Sequence, residues 1–281
     1  LIKKDIKLNI KIACDAKVFI EKLYKYMKNF KKNPNWISYC RKVRKKYPII
    51  TQSMKNQKKY VNSYYFVDTL SEILSNKDII VTDMGFSFTT THQAFRVKEG
   101  QIFYTNSGHA PMGWGLPASV GAYFSTKNAK RVICLTGEGG IQMNIQELAT
   151  IMHNKIPIKI FIFNNGGYLT IKQTQQLGFD GRVMGADKSS GVSFPNYKKI
   201  AQSHKISYSI IKSNKNIKNT LKKIIYSKGS YICELLMDPD EEQIPKAINK
   251  RTPDGKTVPT KLEDMYPFLS SQELNSNNYG R

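Results

Sequence analysis

From Tyr64 onward the chain alternates between two hydrophobic rhythms. "YYFVDTLSEIL" (64–74) spaces its apolar residues as a helix with one buried face does. "DIIVTD" (Asp78–Asp83) is a short β-branched run that stops before Gly85. "SFTTTHQAF" then predicts a short helix, "QIFYTN" a second strand and "GLPASVGAYFS" a helix opened by Gly and Pro. "RVICLTG" reads as a third strand and "IQELATIMHNK" as a helix. "PIKIFIFNN" is a fourth strand, nearly continuous in apolar residues, as expected when both faces are covered. "PNYKKIAQSHK", "SYSII", "NIKNTLKKIIYSK" and "SYICELLMD" continue the series as helix, strand, helix and strand. This alternation predicts an α/β fold with a parallel sheet covered by helices on both faces.

The two ends read differently. Residues 1–32 hold a strand-like run and one helix, "AKVFIEKLYKYM". Residues 33–59 are polar, charged and Pro-containing, which predicts a linker with at most a short helix. The alternating region occupies 60–238. The tail, 239–281, is rich in Pro, Asp, Glu and Asn and is expected to wrap the domain surface.

Charge changes this picture little. The net charge is +23, which suggests an acidic partner such as nucleic acid. The lysines are scattered, however, and the aromatics follow no RNA-recognition pattern, so the excess reads as solvated faces and no nucleic-acid partner is expected. No apolar run reaches the roughly 18 residues of a membrane helix, and the first residues have no signal-peptide core. Cys14, Cys40, Cys134 and Cys233 are far apart, which gives neither a zinc motif nor a disulfide framework and makes a reduced cytoplasmic setting the default. The four histidines form no HxxxH or HExxH.

Ligands of such sheets bind at the carboxyl ends of strands. Three loops there contain glycine: "TDMGFS", "TGEGGIQMN" and "FNNGGYLT". "GEGGIQ" lacks the GK[ST] of a P-loop and the third glycine of a dinucleotide fingerprint. Glu138 with "NN" at Asn164–Asn165 instead suggests a cluster of hard oxygen ligands of the kind Mg²⁺ prefers, shared with phosphate oxygens. Asn144 with Glu147 three residues on has the form of a capping box, which would put a helix N-terminus beside the glycines.

With "GEG" ending at Gly139 and "NN" beginning at Asn164, the sequence resembles the thiamine-diphosphate-dependent enzymes, whose diphosphate-binding domain carries Gly-Asp-Gly and, roughly two dozen residues on, Asn-Asn. "GIQMNIQELATIMHNKIPIKIFIFNN" and "NSGHAPMGWGLPASVGA" resemble the acetolactate-synthase-like branch. The likeness runs from about Tyr60 to Asp238, and "IKIACDAKVFIEKL" resembles the end of the family's preceding, central domain. It implies the C-terminal half of a larger enzyme, an implication that fits a chain beginning at Leu1.

The resemblance also implies roles. Glu138, the Asn165 side chain and the Gly167 carbonyl would bind Mg²⁺. Gly137, Gly139 and Gly140 would let the diphosphate approach the backbone, with Gly85, Phe86 and Ser87 of "MGFS" on its other side. Met112 would wedge the cofactor into its bent form, with the Ala110 carbonyl and the Met112 N–H on the pyrimidine ring. Tyr168, Thr170 and Gln173 would line the substrate side, and His109, near the wedge, would take either an active-site role or a structural hydrogen bond, so that Met112, His109 and Gln173 are the catalytic candidates. The implied substrate is a 2-oxo acid, decarboxylated and then joined to a second carbonyl. The implied assembly is a homodimer or homotetramer in which a second chain's pyrimidine domain supplies the activating glutamate. FAD is left undetermined, because its site would fall mostly outside these residues.

Two features depart from the pattern. Glu138 is one methylene longer than the family's Asp, and these residues contain no pyrimidine-binding domain. A simple 2-oxo acid decarboxylase and a non-catalytic binding or regulatory subunit therefore remain alternatives.

Overall fold

The computed structural model describes residues 9–126, 131–251, 254–260, 262 and 264–277. The chain forms two compact units, Leu1–Tyr47 with Ser271–Arg281 and Pro48–Ser270. In chain order the helices are α1 (Ala16–Met27), α2 (Pro34–Lys46), α3 (Gln52–Asn56), α4 (Ser63–Ile73), α5 (Phe86–Ala94), α6 (Gly115–Ser125), α7 (Glu138–Met143) and α8 (Glu147–His153). α9 (Leu169–Gly178), α10 (Tyr197–Ser203), α11 (Ile217–Ile225) and α12 (Ser271–Ser276) follow. The strands are β1 (Asp78–Thr82), β2 (Ile102–Tyr104), β3 (Arg131–Gly137), β4 (Lys159–Asn164), β5 (Ser207–Ile211), β6 (Tyr231–Leu236), β7 (Lys250–Arg251) and β8 (Thr257–Val258).

The smaller unit contains α1, α2 and α12. Most of the expected N-terminal strand-like run lies outside the described residues, and residues 9–15 contain no strand. Where the sequence predicts a linker with at most a short helix, α2 runs for 13 residues. Its start is well specified, because the Asn33 side chain accepts the Trp36 N–H and Pro34 stands in the first turn. Tyr47 donates to Glu273 on α12 (2.5 Å), and Lys46 pairs with the same carboxylate at 2.9 Å.

The larger unit is built on a six-stranded sheet in the order β2-β1-β3-β4-β6-β5, with every pairing parallel. The α/β fold read from the sequence is therefore the fold observed. Residues alternate along β4: Phe161 and Phe163 join one apolar cluster with α4, α5 and α11, while Ile160 and Ile162 join another with α6, α8 and α10. Phe66 of α4 packs against Phe161 and Phe163 with ring centroids 5.3 and 5.5 Å away, the second edge-on. Covering both faces in this way explains why β4 reads as a continuous apolar run. From β1 the chain runs outward to β2 and returns to β3 on the other side of β1, so the sheet has its switch point between β1 and β3, where such folds bind ligands.

The first part of the tail is fastened to this unit. Glu241 Oε1 accepts the Asn62 side chain (2.7 Å) and both the N–H and the hydroxyl of Ser63 (each 3.0 Å) at the start of α4. Gln93 donates to the Pro245 carbonyl, and the Ile244 N–H donates to the Tyr64 hydroxyl. Farther on, β7 and β8 form a short hairpin.

Burial pushes the Glu241 carboxyl from its ordinary 4.5 up to about 7, with the Ser63 bonds opposing and the charge of Asp238 adding. The folded chain therefore keeps a proton that the unfolded chain has released. This contribution to stability is complete below pH 4.5 and is lost as the pH rises toward 7. Glu241→Gln, neutral throughout, is expected to match the parent in urea unfolding at pH 4 and to exceed it at pH 8 by on the order of 2 kcal/mol. A difference that does not change with pH would refute this assignment.

Candidate functional site

β3 ends at Gly137 in extended conformation, and Glu138 opens α7 directly. The sequence predicts a glycine turn here, but Gly139 and Gly140 lie inside the helix. Close contacts explain why. A Cβ on Gly139 would sit 2.1 Å from the Tyr168 ring, and one on Gly140 would sit 2.6 Å from Asp83 Oδ2. These approaches override a helix cost of about 1 kcal/mol per glycine. The expected capping box also does not form. Asn144 turns its amide to the Gly113 carbonyl (2.7 Å), and α8 begins without a side-chain cap.

The Glu138 carboxylate is buried, 1% exposed. Its Oε1 accepts the N–H groups of Asn165 (3.1 Å) and Gly167 (2.8 Å), just beyond the end of β4. Burial raises its pKa to about 7, and the N–H groups aimed at it oppose that rise. The Tyr197 hydroxyl holds the Glu138 carbonyl at 2.8 Å. Gly167 must be glycine, because a Cβ there would lie 2.3 Å from the Ala186 carbonyl. The next N–H, that of Tyr168, bonds the same carbonyl at 2.6 Å.

The Asn165 amide lies 3.3 Å from Glu138 Oε1 and 2.7 Å from the Gly167 carbonyl. With its nitrogen turned inward it donates to both. With its oxygen inward, three acceptor oxygens converge. In an octahedral shell of ~2.1 Å radius, neighbouring oxygens lie about 3.0 Å apart. The two separations from the Asn165 amide lie near that spacing, so these groups could share a Mg²⁺ shell with the amide oxygen turned inward.

Opposite them runs the 106–114 loop, with Ala110 and Gly113 at positive φ. Asp83, 1% exposed, fixes this loop. Its carboxylate accepts the N–H groups of Met84 (2.8 Å) and Gly113 (3.0 Å) and the Thr136 hydroxyl (2.9 Å). Burial raises its pKa and those hydrogen bonds lower it. Sequence reasoning assigned Asp83 no role. Its position at the end of β1, two residues before a glycine, was the available signal.

These elements enclose a cavity of about 250 Å³. Gly85, Phe86 and Ser87 line it from the start of α5, and Ala110 and Met112 from the loop. Gly137, Glu138, Gly139 and Gly140 line it from β3 and α7, and Asn165, Gly167 and Tyr168 from beyond β4. Thr170, with Leu169 and Ile171, adds the first turn of α9. His109 and Gln173 are not among the lining residues. His109 is exposed on the loop, and α9 turns Gln173 away to donate to the Glu241 carbonyl at 2.9 Å. A wider, open groove of about 850 Å³ runs along residues 51–64 and 238–244, away from these converging groups.

Comparison with known proteins identifies the family to which these elements belong. The family described as thiamine pyrophosphate enzyme, C-terminal TPP binding domain, matches residues 83–235. The acetolactate synthase large subunit of Cyanidium caldarium is 30% identical over 240 residues, covering 83% of this chain and 40% of that protein. The probable acetolactate synthase large subunit of Methanocaldococcus jannaschii is 32% identical over 248 residues, covering 85% and 41%. The chain thus spans about two fifths of the length of these curated relatives. Among solved structures, benzoylformate decarboxylase from Polynucleobacter necessarius superposes with a TM-score of 0.57 at 19% identity, covering 64% of this chain and 33% of that one. That likeness concerns the fold alone.

The glycine contacts give a direct test. Gly140→Ala would drive its methyl against Asp83 Oδ2 and against Thr136 Oγ1, 2.9 Å away, so it is expected to cost about 1–3 kcal/mol in denaturant unfolding. Gly137→Ala meets no atom within 4 Å and has an ordinary φ of −85°, so it is expected to be neutral or stabilising by about 0.4–1 kcal/mol. Equal effects at the two positions would contradict the packing described.

Proposed function

The chain belongs to the thiamine pyrophosphate enzymes, of which it carries the C-terminal cofactor-binding domain, and on that premise we propose that it binds thiamine diphosphate through Mg²⁺ and serves decarboxylation and carboligation of 2-oxo acids, as an acetolactate synthase does. The observation that carries the proposal is the convergence of Glu138, Asn165 and Gly167 at one edge of a cavity whose other walls are Ser87, Met112 and Gly139. The relatives named above support the acetolactate-synthase branch.

In this reading Glu138, the Asn165 amide oxygen and the Gly167 carbonyl hold Mg²⁺. The glycine backbone at 139–140 and the first turn of α5 receive the diphosphate. Met112, half-buried and adaptable in shape, supports the bend of the cofactor, and the backbone of Ala110 and Met112 holds its pyrimidine ring. When bound, thiamine diphosphate supplies a nucleophilic carbon and an electron sink for the bond to carbon dioxide. Tyr168 and Thr170 shape the substrate side and exclude water. His109 and Gln173 lie outside the lining of this cavity. Catalysis further requires a pyrimidine-binding domain with its activating glutamate, contributed across a homodimer or homotetramer.

Calorimetric titration of thiamine diphosphate into the full-length protein, with and without Mg²⁺, tests the reading. Binding that requires Mg²⁺ is expected, and Glu138→Ala is expected to weaken it at least about tenfold, the loss of one charge-assisted contact. Absence of binding at millimolar cofactor would overturn the cofactor assignment, and unchanged affinity in Glu138→Ala would overturn the ligand assignment. Incubation with a panel of 2-oxo acids, following carbon dioxide and coupled products, separates the possible activities. Carbon dioxide with a carboligation product is expected; an aldehyde alone would mark a simple decarboxylase, and cofactor binding without turnover a non-catalytic subunit.

A further inference from the structure

The Asn164–Gly167 turn carries two of the three groups assigned to the metal, and it is pinned from two sides. On one side Glu138 Oε1 takes the N–H groups of Asn165 and Gly167. The N–H between them, that of Gly166, bonds instead to Asn164 Oδ1 at 3.1 Å. Asn164 Nδ2 in turn donates to Glu234 Oε1 of the neighbouring strand β6 at 2.5 Å. The other oxygen of Glu234 accepts the Tyr208 hydroxyl from β5. Glu234 is 8% exposed and faces none of the atoms of the cavity directly.

We propose that Glu234 is a positioning residue, which acts through Asn164 to hold the turn in the shape that presents Asn165 and Gly167 to Glu138. The argument rests on the chemistry of an amide. Asn164 serves Gly166 only while its oxygen faces that N–H and its nitrogen faces away. The amide oxygen and nitrogen are nearly the same size, so shape alone does not choose between them. Both oxygens of Glu234 accept, one from Asn164 and one from Tyr208, so Glu234 fixes the nitrogen on its own side and the oxygen on the side of Gly166. Tyr208 occupies the second carboxylate oxygen and keeps the first for Asn164.

This second clamp matters because the first is shared. A cation that draws on Glu138 competes with the two N–H groups bonded to the same carboxylate, whereas the hold of Glu234 on Gly166 is independent of the cation. The functional consequence rests on the Mg²⁺ reading above; the positioning itself does not.

The two are separated by hydrogen exchange, read by mass spectrometry on the full-length protein without added metal or cofactor, followed by titration of Mg²⁺ at fixed thiamine diphosphate. In Glu234→Ala the peptide spanning 161–170 is expected to exchange about tenfold faster, the loss of one hydrogen bond to a charged group, while peptides of β1 and β3 are unchanged. Glu234→Gln, whose oxygen still faces Asn164 and whose amide reaches Tyr208, is expected to stay within about twofold of the parent. Asn164→Ala should reproduce the effect, and adding Glu234→Ala to it should change little further, because the two residues act in series. Unchanged exchange at the turn, equal loosening of all peptides, or full additivity of the two substitutions would each overturn the proposal. In the titration, Glu234→Ala is expected to need about tenfold more Mg²⁺ for half-saturation, with Glu234→Gln restoring the parent value. Local loosening with an unchanged Mg²⁺ requirement would overturn the functional consequence. Local loosening in a protein whose parent form binds no cofactor would support the positioning and overturn the Mg²⁺ reading instead.

Discussion

The cavity depends on one buried carboxylate. Asp83 stands just past the end of β1, at the switch point of the sheet, and joins three parts of the chain that are distant in sequence. Its own N–H bonds the Leu135 carbonyl of β3 at 2.8 Å. Its carboxylate takes the Thr136 hydroxyl from β3 and the Gly113 N–H from the 106–114 loop. An unpaired buried carboxylate would be costly, so these donors are obligatory and the loop cannot drift from the sheet without exposing the cost. The same closeness dictates side chains. A Cβ on Gly115 would lie 2.9 Å from the Asp83 Cβ, and Gly140 is excluded from carrying one by the carboxylate itself. The glycines around the cavity thus serve first to let backbones meet Asp83 and Tyr168, and only then leave room for a ligand.

From that fixed frame the groups at the cavity's edge follow. With Asp83 holding the β3 end and the loop, α7 starts where Gly137 leaves the sheet, and its first residue reaches across to the end of β4. The Glu138 carboxylate arrives within hydrogen-bond distance of two N–H groups of the next strand's turn. A carboxylate so placed already has polar partners without a cation, which keeps a buried charge tolerable in the free protein. The Asn165 amide adds a second device, able to donate to its neighbours or to turn its oxygen to a cation.

Much of this was legible in the sequence. The six strands are short apolar or β-branched runs that form where their pattern places them, and for the inner four, β1, β3, β4 and β6, burial on both faces leaves little choice of structure. The pairing of "GEG" with "NN" marked the ends of β3 and β4, which the sheet brings side by side. What was not legible has tertiary causes. α7 carries two glycines and reads as a turn until Tyr168 and Asp83 are placed against it. Asn144 has a capping partner in sequence but a better acceptor in space, the Gly113 carbonyl. α9 shows no apolar stripe, since Leu169 alone of its residues is buried, so neither its helical form nor the direction of Gln173 could be read. Asp83 was missed for the opposite reason: a single Asp after a strand has many uses, and only its three donors distinguish this one.

The polar contacts at the carboxyl edge of the sheet form a hierarchy that explains why its loops can be glycine-rich and still ordered. Glycine lowers the cost of close approach but raises the entropy lost on folding. Gly113 and Gly167 are each held by a buried carboxylate on a neighbouring element, Asp83 and Glu138, while Gly166 is held by Asn164 of its own turn, which donates in turn to Glu234 of β6. Each hydrogen bond to a charged acceptor contributes roughly 1.5–3 kcal/mol, enough to offset the backbone entropy of the glycine it fixes. The carboxylates of this edge are therefore part of the scaffold before they are part of any chemistry. Substitution of an acidic residue here acts on loop geometry as well as on charge, and the two effects separate only when an amide of the same shape replaces the acid.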